Sequence, residues 1–485
     1  MKRNTIFGAV LMIAAIVALV ATGHLNILLS IFMIGVVICF HEFGHFLLAR
    51  INGVTVKEFS LGMGPRLVSK KIRGTRWSIK LLPFGGSCLM LGEDEAIQEA
   101  VETDAEAAAE EKEKETAEEH DDDEGSFRSK GVWQRISIVF AGPFFNFILA
   151  FLLACIILGT IGHDTAYVLR VSDDVVMKTG LQPGDIITSY DDHTIRIGRD
   201  LALYENLDGV PEHITITFER DGKTYTGEYD TKLNRRYLCG ITYTLNQQNG
   251  HPPMKLDAVG GAAAEAGLQA GDIVKKINGV DIATPEEFQA YIQENPLSEK
   301  KVVFVVERDG KEGEFTVYPV LSETRELGFE YNINYREKSG VLSVVKYGFI
   351  EVEYWMKATV KSLKFLIQGK AKRQDVGGAV RVVSEMSNVV DESYHTDGML
   401  YAFLNLINWA ILLSANLGVM NLLPIPALDG GRLLFLLIEA VRGKPVNPKV
   451  EGYVTLAGFV LLMLLMVFIL FNDITNVFFG VLGAL

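Results

Sequence analysis

The sequence has few cysteines, no dense cluster of basic residues and little net charge outside one segment. The net charge is −14, but residues 93–124 hold 17 acidic residues and two lysines, so the rest of the chain is close to neutral. Without a basic patch, nucleic acid is not an expected partner. Cys39, Cys88 and Cys155 lie in or beside apolar runs and only Cys239 does not, which excludes a disulfide scaffold.

Long apolar runs are abundant instead. A transmembrane helix needs about 20 residues that are mostly apolar. Five runs approach or exceed this length: Thr5–Ala21, Leu25–Leu48, Ile136–Gly162, Gly398–Leu428 and Tyr453–Phe471. The first run follows Lys2 and Arg3 and has the pattern of a signal peptide. We expect it to be retained as a signal anchor, and cleavage near residue 21 is the alternative.

Lysine and arginine in the short loops predict the orientation of the chain. They cluster after the second run, before the third, and between the fourth and fifth, and such loops stay on the cytoplasmic side. Residues of about 164–397 are therefore expected outside the cytoplasm. Within them, Gly340–Gly369 carries a charge every few residues, which is costly at the centre of a bilayer. We expect this stretch to be an amphipathic helix that rests on the membrane surface.

The external region contains an internal repeat. Gly180–Asp185 (GLQPGD) returns as Gly267–Asp272 (GLQAGD), and Glu219–Lys223 (ERDGK) returns as Glu307–Lys311. Each copy has alternating apolar strands joined by an Asp-Gly turn, together with a helix-like stretch. The repeat predicts two small mixed domains, which resemble tandem PDZ domains.

PDZ domains bind an extended peptide as an added strand, so a peptide or a C-terminus is an expected partner of these domains. The alternatives are that they filter substrates by size or are spacers that bind nothing. The first copy has Asp191-Asp192 where the second has Asn278-Gly279, and we therefore expect a different turn at that point.

The sequence His41-Glu42-Phe43-Gly44-His45 indicates the chemistry. Residues four apart share one face of a helix, so His41 and His45 can ligate one metal ion. Glu42 lies about 100° round the helix and is placed to contact a water molecule at the metal. This is the HExxH arrangement of zinc proteases. Three ionisable groups in an otherwise uncharged membrane helix are a second indication of function.

A catalytic zinc needs a third protein ligand. The other seven histidines fall in loops, span ends or the external domains, whereas Asp429 follows a charge-free run of 31 residues, within the sequence NLLPIPALDGG. Proline and glycine break the helix around Asp429, and irregular backbone at membrane depth suits a ligand that lines a wet cavity. The alternative is that Asp429 only caps the next helix.

HEFGH, the motif GPFFN at Gly142–Asn146, the PDZ-like modules and NLLPIPALDGG occur in this order. The chain thereby resembles the bacterial site-2 proteases from about residue 25 to 471. The resemblance implies an intramembrane zinc metalloprotease of the bacterial inner membrane, with its active site near the cytoplasmic side. Its substrates would be transmembrane segments of single-span proteins, such as anti-sigma factors or signal-peptide remnants. It also implies zinc on His41, His45 and Asp429, with Glu42 as the general base.

Substrate contacts are implied as well. Asn421 and Asn416 would bind the substrate backbone, and residues 54–91, including Gly85 and Gly86, resemble the family's membrane-associated β-hairpin. For Asn146 we expect an interhelical hydrogen bond without catalytic contact, which is also the alternative for Asn416 and Asn421. The first apolar run and the acidic insert depart from the family pattern, and the insert is expected to be disordered or only partly helical.

The expected fold is a polytopic α-helical membrane protein with a membrane-associated β-hairpin and two extracytoplasmic PDZ-like α+β domains. We divide the chain into an N-terminal helix or signal anchor (1–23), a helix with HExxH (24–52), the hairpin (53–92), the insert (93–127), a second core helix (128–163), PDZ-like domains (164–247 and 248–335), amphipathic helices (336–397), a helix with the LDG motif (398–431), and a cytoplasmic loop with the last helix and tail (432–485).

Two other functions fit part of this pattern. A zinc-binding membrane transporter or scaffold without hydrolytic activity would share the metal ligands but would not need Glu42. A membrane zincin of another family would cut soluble substrates and take its third ligand from a glutamate on another helix.

Overall fold

The structure is a computed structural model that describes Ala21 and residues 25–92, 123–245, 253–338, 340–370 and 377–482. Its α-helices are α1 (Leu25–Ile51), α2 (Val132–Ile161), α3 (Asp173–Thr179), α4 (Gly198–Asp208), α5 (Gly261–Glu265), α6 (Pro285–Glu294), α7 (Val341–Ile367), α8 (Ala379–Thr396), α9 (Met399–Leu422), α10 (Asp429–Arg442) and α11 (Pro448–Leu482).

The strands are mostly short. They are β1 (Val56–Ile72), β2 (Thr75–Met90), β3 (His163–Asp164), β4 (Ala166–Val171), β5 (Ile186–Tyr190), β6 (His193–Thr194), β7 (His213–Arg220), β8 (Lys223–Asp230), β9 (Lys232–Leu238), β10 (Ile241–Thr242), β11 (Ala258–Val259), β12 (Ile273–Ile277), β13 (Val280–Asp281), β14 (Val302–Arg308), β15 (Lys311–Val317), β16 (Val320–Glu326), β17 (Phe329–Asn332) and β18 (Arg336–Glu337).

The chain forms two compact units. The membrane unit combines residues up to Asp164 with Arg336–Asp473, and most of the other unit is Thr165–Tyr335. Within the described residues, α1, α2, α9 and the segment Val450–Asp473 of α11 are long and apolar enough to cross a membrane. These helices confirm four of the five predicted spans, and residues 5–20 of the first predicted span lie outside the described residues.

Helix α7 is amphipathic, as predicted, and one side of it packs against two of the spans. Its apolar side chains, including Val352 and Trp355, pack against Ala154 of α2 and Ile411 of α9. The rings of Phe349 and Phe151 of α2 lie 4.5 Å apart between centroids. Other apolar side chains of α7, among them Val341, Leu342 and Ile367, are exposed, so its expected contact with the membrane surface stays a prediction.

Strands β1 and β2 form the predicted hairpin, a two-stranded antiparallel sheet. Its turn uses Arg73 and Gly74, both with positive φ, as a tight hairpin turn requires. At the end of the predicted insert, residues 123–127 are ordered instead of disordered, and Asp123–Gly125 form a short 3-10 helix. There the N–H of Thr55 donates to the carbonyl of Gly125 at 2.9 Å, and that of Phe127 to the carbonyl of Leu91 at 2.8 Å. Residues 93–122 lie outside the described part.

The two repeat domains are nested, so the predicted boundary near residue 247 is wrong. The first sheet has the order β17-β4-β5-β7-β8, whereas the second, β13-β12-β14-β15, belongs entirely to the later repeat. Repeat domain 1 thus comprises residues 165–231 and 327–335, and repeat domain 2 comprises 239–318. The two-stranded ribbon of β9 and β16 joins them. Leu327 and Phe329 complete the first core, because burial of apolar side chains selects the sheet that a strand joins.

The repeated motifs contact each other in both domains. In repeat domain 1, Nε and Nη2 of Arg220 each lie 2.6 Å from a carboxylate oxygen of Asp185. In repeat domain 2, the same atoms of Arg308 lie 2.6 and 2.7 Å from the carboxylate of Asp272. Both aspartates are 1% exposed. In each domain the GLxxGD and ERDGK motifs therefore supply the two partners of an ion pair whose carboxylate is buried.

The turn that was expected to differ between the copies is the same at its first residue. Asp191 and Asn278 have φ of 48° and 49°. Their side-chain oxygens each accept a hydrogen bond of 2.9 Å, from the N–H of Thr215 and of Val303 respectively. Aspartate thus replaces asparagine without loss of this bond, and the difference is confined to the second residue, where Gly279 alone has a positive φ.

Replacing Asp272 by alanine should lower the free energy of unfolding of repeat domain 2 by about 1.5–3 kcal/mol, because it removes two charge-assisted hydrogen bonds from the guanidinium of Arg308. Asp281 is a matched control, since its ion pair with Lys276 is exposed and is worth about 0–1 kcal/mol. Thermal unfolding of both variants in detergent measures the difference. Equal stability of the two variants would contradict the structural role of the repeated pair.

Candidate metal centre

Helix α1 continues through HEFGH and holds both imidazoles on one face. His41 and His45 are buried, at 6% and 8% exposure, and their Nε2 atoms are 3.3 Å apart. The (i, i+4) spacing alone produces this arrangement on a regular helix. The predicted pairing of His41 and His45 is therefore present.

Two glycines allow α1 and α2 to cross closely at this level. A Cβ on Gly44 of α1 would lie 2.4 Å from the carbonyl oxygen of Ala141 on α2. A Cβ on Gly142 of α2 would lie 2.2 Å from Nε2 of His45 and 2.8 Å from Cε1 of His41. The two imidazoles consequently occupy space that any other residue at position 142 would fill.

The loop between α9 and α10 brings Asp429 to the imidazoles. Helix α9 ends at Leu422 and Asp429 is the first residue of α10, so the predicted break in the helix is real. A Cβ on Gly430 would lie 2.1 Å from the carbonyl oxygen of Leu423, so this glycine lets α10 fold back tightly on the loop. Ala427 takes a φ of 75° within the loop, a conformation that non-glycine residues rarely adopt.

Three ligand atoms converge on one point. The Oδ2 atom of Asp429 lies 3.2 Å from Nε2 of His41 and 3.3 Å from Nε2 of His45. A tetrahedral zinc with bonds of about 2.0–2.1 Å holds its ligand atoms about 3.3 Å apart. Among the described residues, none donates a hydrogen bond of normal geometry to this buried oxygen. The three side chains form the metal-binding group found in the described part of the chain, and they fit zinc.

The surroundings prepare these side chains as ligands. The Nδ1 atom of His45 lies 2.9 Å from the carbonyl oxygen of Ile138, to which it can donate, so that Nε2 is left for a metal. The Nδ1 atom of His41 lies 3.1 Å from Nδ2 of Asn146. A carboxylate must be ionised to bind a metal, and both imidazoles lie within 3.3 Å of Oδ2 of Asp429.

Strand β2 of the hairpin reaches Glu42. A Cβ on Gly86 would lie 2.8 Å from Cγ of Glu42 and 3.2 Å from a side-chain carbon of Ile38. The backbone of β2 therefore lies directly against Glu42, and only glycine permits this approach. Gly85 is near Met63 of β1 instead, so of the two predicted glycines only Gly86 is placed against a residue of the HEFGH motif.

The two asparagines predicted to contact substrate lie in different surroundings. Nδ2 of Asn421 is 3.4 Å from Nε2 of His41, which puts this amide beside the metal ligands. The Oδ1 atom of Asn416 accepts a hydrogen bond from the hydroxyl of Thr359 on α7. Asn421 is thus part of the site, whereas Asn416 has the interhelical hydrogen bond that was its alternative role.

Gly142 and Asn146 are the residues whose place at the site the sequence did not reveal. Their signal was the GPFFN motif, which contributed to the family resemblance but did not indicate a contact with the imidazoles. Their contacts with the imidazoles depend on how α1 and α2 cross, which helical periodicity does not specify.

Comparison with known proteins finds matches over most of the chain. The model of peptidase family M50 matches residues 29–465. Zinc metalloprotease RasP of Geobacillus kaustophilus is 32% identical, with 93% of this chain and 98% of that protein aligned. The regulator of sigma-W protease RasP of Bacillus subtilis is 30% identical over 93% and 99%. The probable protease eep of Enterococcus faecalis is 30% identical over 94% and 100%.

A solved structure of the HtrA3 PDZ domain bound to a phage-derived ligand is also similar to part of the chain. It is 19% identical, covers 19% of this chain and 93% of that one, and has a TM-score of 0.16, too low to support an argument. The family match and the full-length relatives are sufficient: the chain is a bacterial membrane protein that belongs to peptidase family M50, the site-2 proteases, and is a zinc-dependent metalloprotease.

Proposed function

We propose that this metalloprotease cleaves other proteins within their membrane-spanning segments, with zinc held by His41, His45 and Asp429. The observation that supports the ligand set is the triangle of Nε2, Nε2 and Oδ2 atoms with edges of 3.2–3.3 Å. The position of these ligands supports cleavage within the membrane, because both histidines lie in a helix able to span the membrane. A transporter or scaffold would need the ligands alone.

Glu42 is the proposed general base. Zinc, when bound, polarises a carbonyl group and acidifies a water molecule. Glu42 follows His41 directly on α1 and is half-buried. It accepts a proton from the water whose oxygen bonds to the scissile carbonyl carbon. When the C–N bond breaks, Glu42 returns this proton to the leaving amine nitrogen.

The hairpin and Asn421 are the proposed binding surface for the unwound substrate. A transmembrane helix must open locally before its carbonyl can be attacked, and open backbone in lipid leaves costly unpaired polar groups. Strand β2 passes Glu42 at Gly86 and belongs to a sheet with only two strands among the described residues. A substrate added as a third strand would satisfy these groups beside Glu42, and the amide of Asn421 would hydrogen-bond its backbone.

The proposed substrates are single-span proteins, such as anti-sigma factors or signal-peptide remnants. Lysine and arginine in the loops favour a metal site near the cytoplasmic side, with the repeat domains outside. Outside the cytoplasm, the repeat domains would act as PDZ-like modules that select substrates. They would do so either by binding a peptide end or by excluding proteins with bulky external parts.

Helix-breaking residues in a substrate should speed cleavage. For a purified single-span substrate with two glycines at the cleavage site, changing both to leucine should slow cleavage about tenfold, because two such changes stabilise the helix by about 1.5 kcal/mol. The same changes at the far end of the span are the control. Mass spectrometry of the products locates the cut, and equal rates or a cut outside the span would contradict the proposal.

A further inference from the structure

We propose that Asn146 is a positioning residue for zinc, whose side-chain amide holds His41 in the form that binds the metal. This inference rests on the proposed ligand set. Asn146 is fully buried on α2, and Nδ2 of its amide lies 3.1 Å from Nδ1 of His41. The opposite end of the amide, Oδ1, is buried without a hydrogen-bond partner among the described residues.

The chemistry of a neutral imidazole requires an acceptor at this position. One ring nitrogen carries a proton and the other has the lone pair. Nε2 of His41 faces Asp429, so it must provide the lone pair for a metal, and Nδ1 must then carry the proton. In the orientation described, Nδ2 of Asn146 can only donate towards Nδ1. Rotation of the amide by 180° exchanges its two ends and places Oδ1 where it accepts the Nδ1 proton.

Asn146 differs in this respect from the partner of His45. The carbonyl oxygen of Ile138 can only accept, so it holds His45 permanently in the form with Nε2 available. An amide can donate or accept and can therefore pair with either form of His41. When metal binds, Oδ1 of Asn146 would be the atom that accepts the Nδ1 proton of His41. Because Oδ1 has no hydrogen-bond partner among the described residues, rotation of the amide breaks no other hydrogen bond to this oxygen.

The backbone of Asn146 has a separate structural role, which provides a control. Its carbonyl oxygen accepts a hydrogen bond of 2.8 Å from the hydroxyl of Ser414 on α9. Ser414→Ala removes that interhelical bond and leaves the side-chain amide in place. If Asn146 only joins the two helices, Ser414→Ala and Asn146→Leu should have similar effects on zinc affinity. If Asn146 positions His41, only Asn146→Leu should lower the zinc affinity.

The test measures zinc affinity of the full chain in detergent by competition with a chelator. Asn146→Leu, of similar size and apolar, should weaken zinc binding 10- to 100-fold, the usual effect of losing a partner of a metal-ligating histidine. Asn146→Asp keeps an acceptor and should restore most of the affinity, and Ser414→Ala should bind zinc as the wild type does. The visible spectrum of the cobalt-substituted protein should change in Asn146→Leu only.

Nitrogen-15 spectra of labelled histidine in the zinc-loaded wild type provide a second measurement that needs no folded variant. They should show a protonated, hydrogen-bonded Nδ1 on His41. Wild-type affinity in Asn146→Leu, equal losses in the leucine and aspartate variants, or an unprotonated Nδ1 would overturn the role of Asn146. Zinc affinity that is unchanged by Asp429→Ala would instead overturn the proposed ligand set.

Discussion

Replacing Gly142 by alanine is expected to abolish zinc binding and proteolysis together. The new Cβ would lie 2.2 Å from Nε2 of His45, 2.5 Å from its Cε1 and 2.8 Å from Cε1 of His41. Both imidazoles would have to move, and displaced ligands can no longer meet Asp429 at tetrahedral spacing. Zinc content, measured by elemental analysis of the purified protein, should fall from about one per chain to near zero.

Gly159 on the same helix provides the matched control. A Cβ at Gly159 meets nothing within 4 Å, so Gly159→Ala should retain zinc and activity. Alanine also favours a helix over glycine by about 0.5–1 kcal/mol, so α2 itself should not be weakened at either position. Retention of zinc and cleavage by Gly142→Ala would show that the two histidines are not ligands in the arrangement described.

Replacing Glu42 by glutamine should stop proteolysis while zinc remains bound. The amide has nearly the same size as the carboxylate but cannot take a proton from water, and removal of a general base costs typically 100- to 10,000-fold in rate. The zinc ligands His41, His45 and Asp429 are unchanged. Cleavage of a purified single-span substrate and zinc content, measured on the same preparation, test both halves of this expectation.

A second glutamate serves as the control for Glu42. Glu353 on α7 pairs with Lys357 at 2.9 Å on the same helix, so Glu353→Gln should cleave normally. In cells, membrane proteomics should find single-span fragments that accumulate with Glu42→Gln and not with Glu353→Gln. Undiminished cleavage by Glu42→Gln would favour a function in which zinc is bound without hydrolysis.

The ligand triangle was predictable because each part of it leaves a local signal. The spacing of His41 and His45 is set by helical periodicity. Asp429 was recognisable because a lone carboxylate between prolines and glycines, after a long uncharged run, is unusual at membrane depth. Both signals depend only on residues close together in the chain, and the structure places the two parts 3.2–3.3 Å apart, as one metal ion requires.

The contacts around the triangle were not predictable in the same way. Gly44 and Gly142 matter because two helices cross there, and Asn146 matters because that crossing brings its amide to His41. An amphipathic pattern showed that α7 has an apolar face but not which surface covers it. Such contacts between distant segments depend on packing, and one sequence alone does not show which glycine or asparagine of an apolar helix lies at a crossing.

The nesting of the repeat domains has a consequence for synthesis of the chain on the ribosome. Between Asp230, where β8 ends, and Phe329, where β17 begins, 98 residues must be translated, which takes roughly 5–20 s. The edge strand β17 of the first sheet is therefore synthesised only after all of repeat domain 2. A nascent chain stalled at residue 247 would lack β17, and the core of its first repeat domain would be incompletely covered. For the same reason, a deletion meant to remove only repeat domain 2 should remove residues 239–318 and join β9 directly to β16, so that β17 is kept.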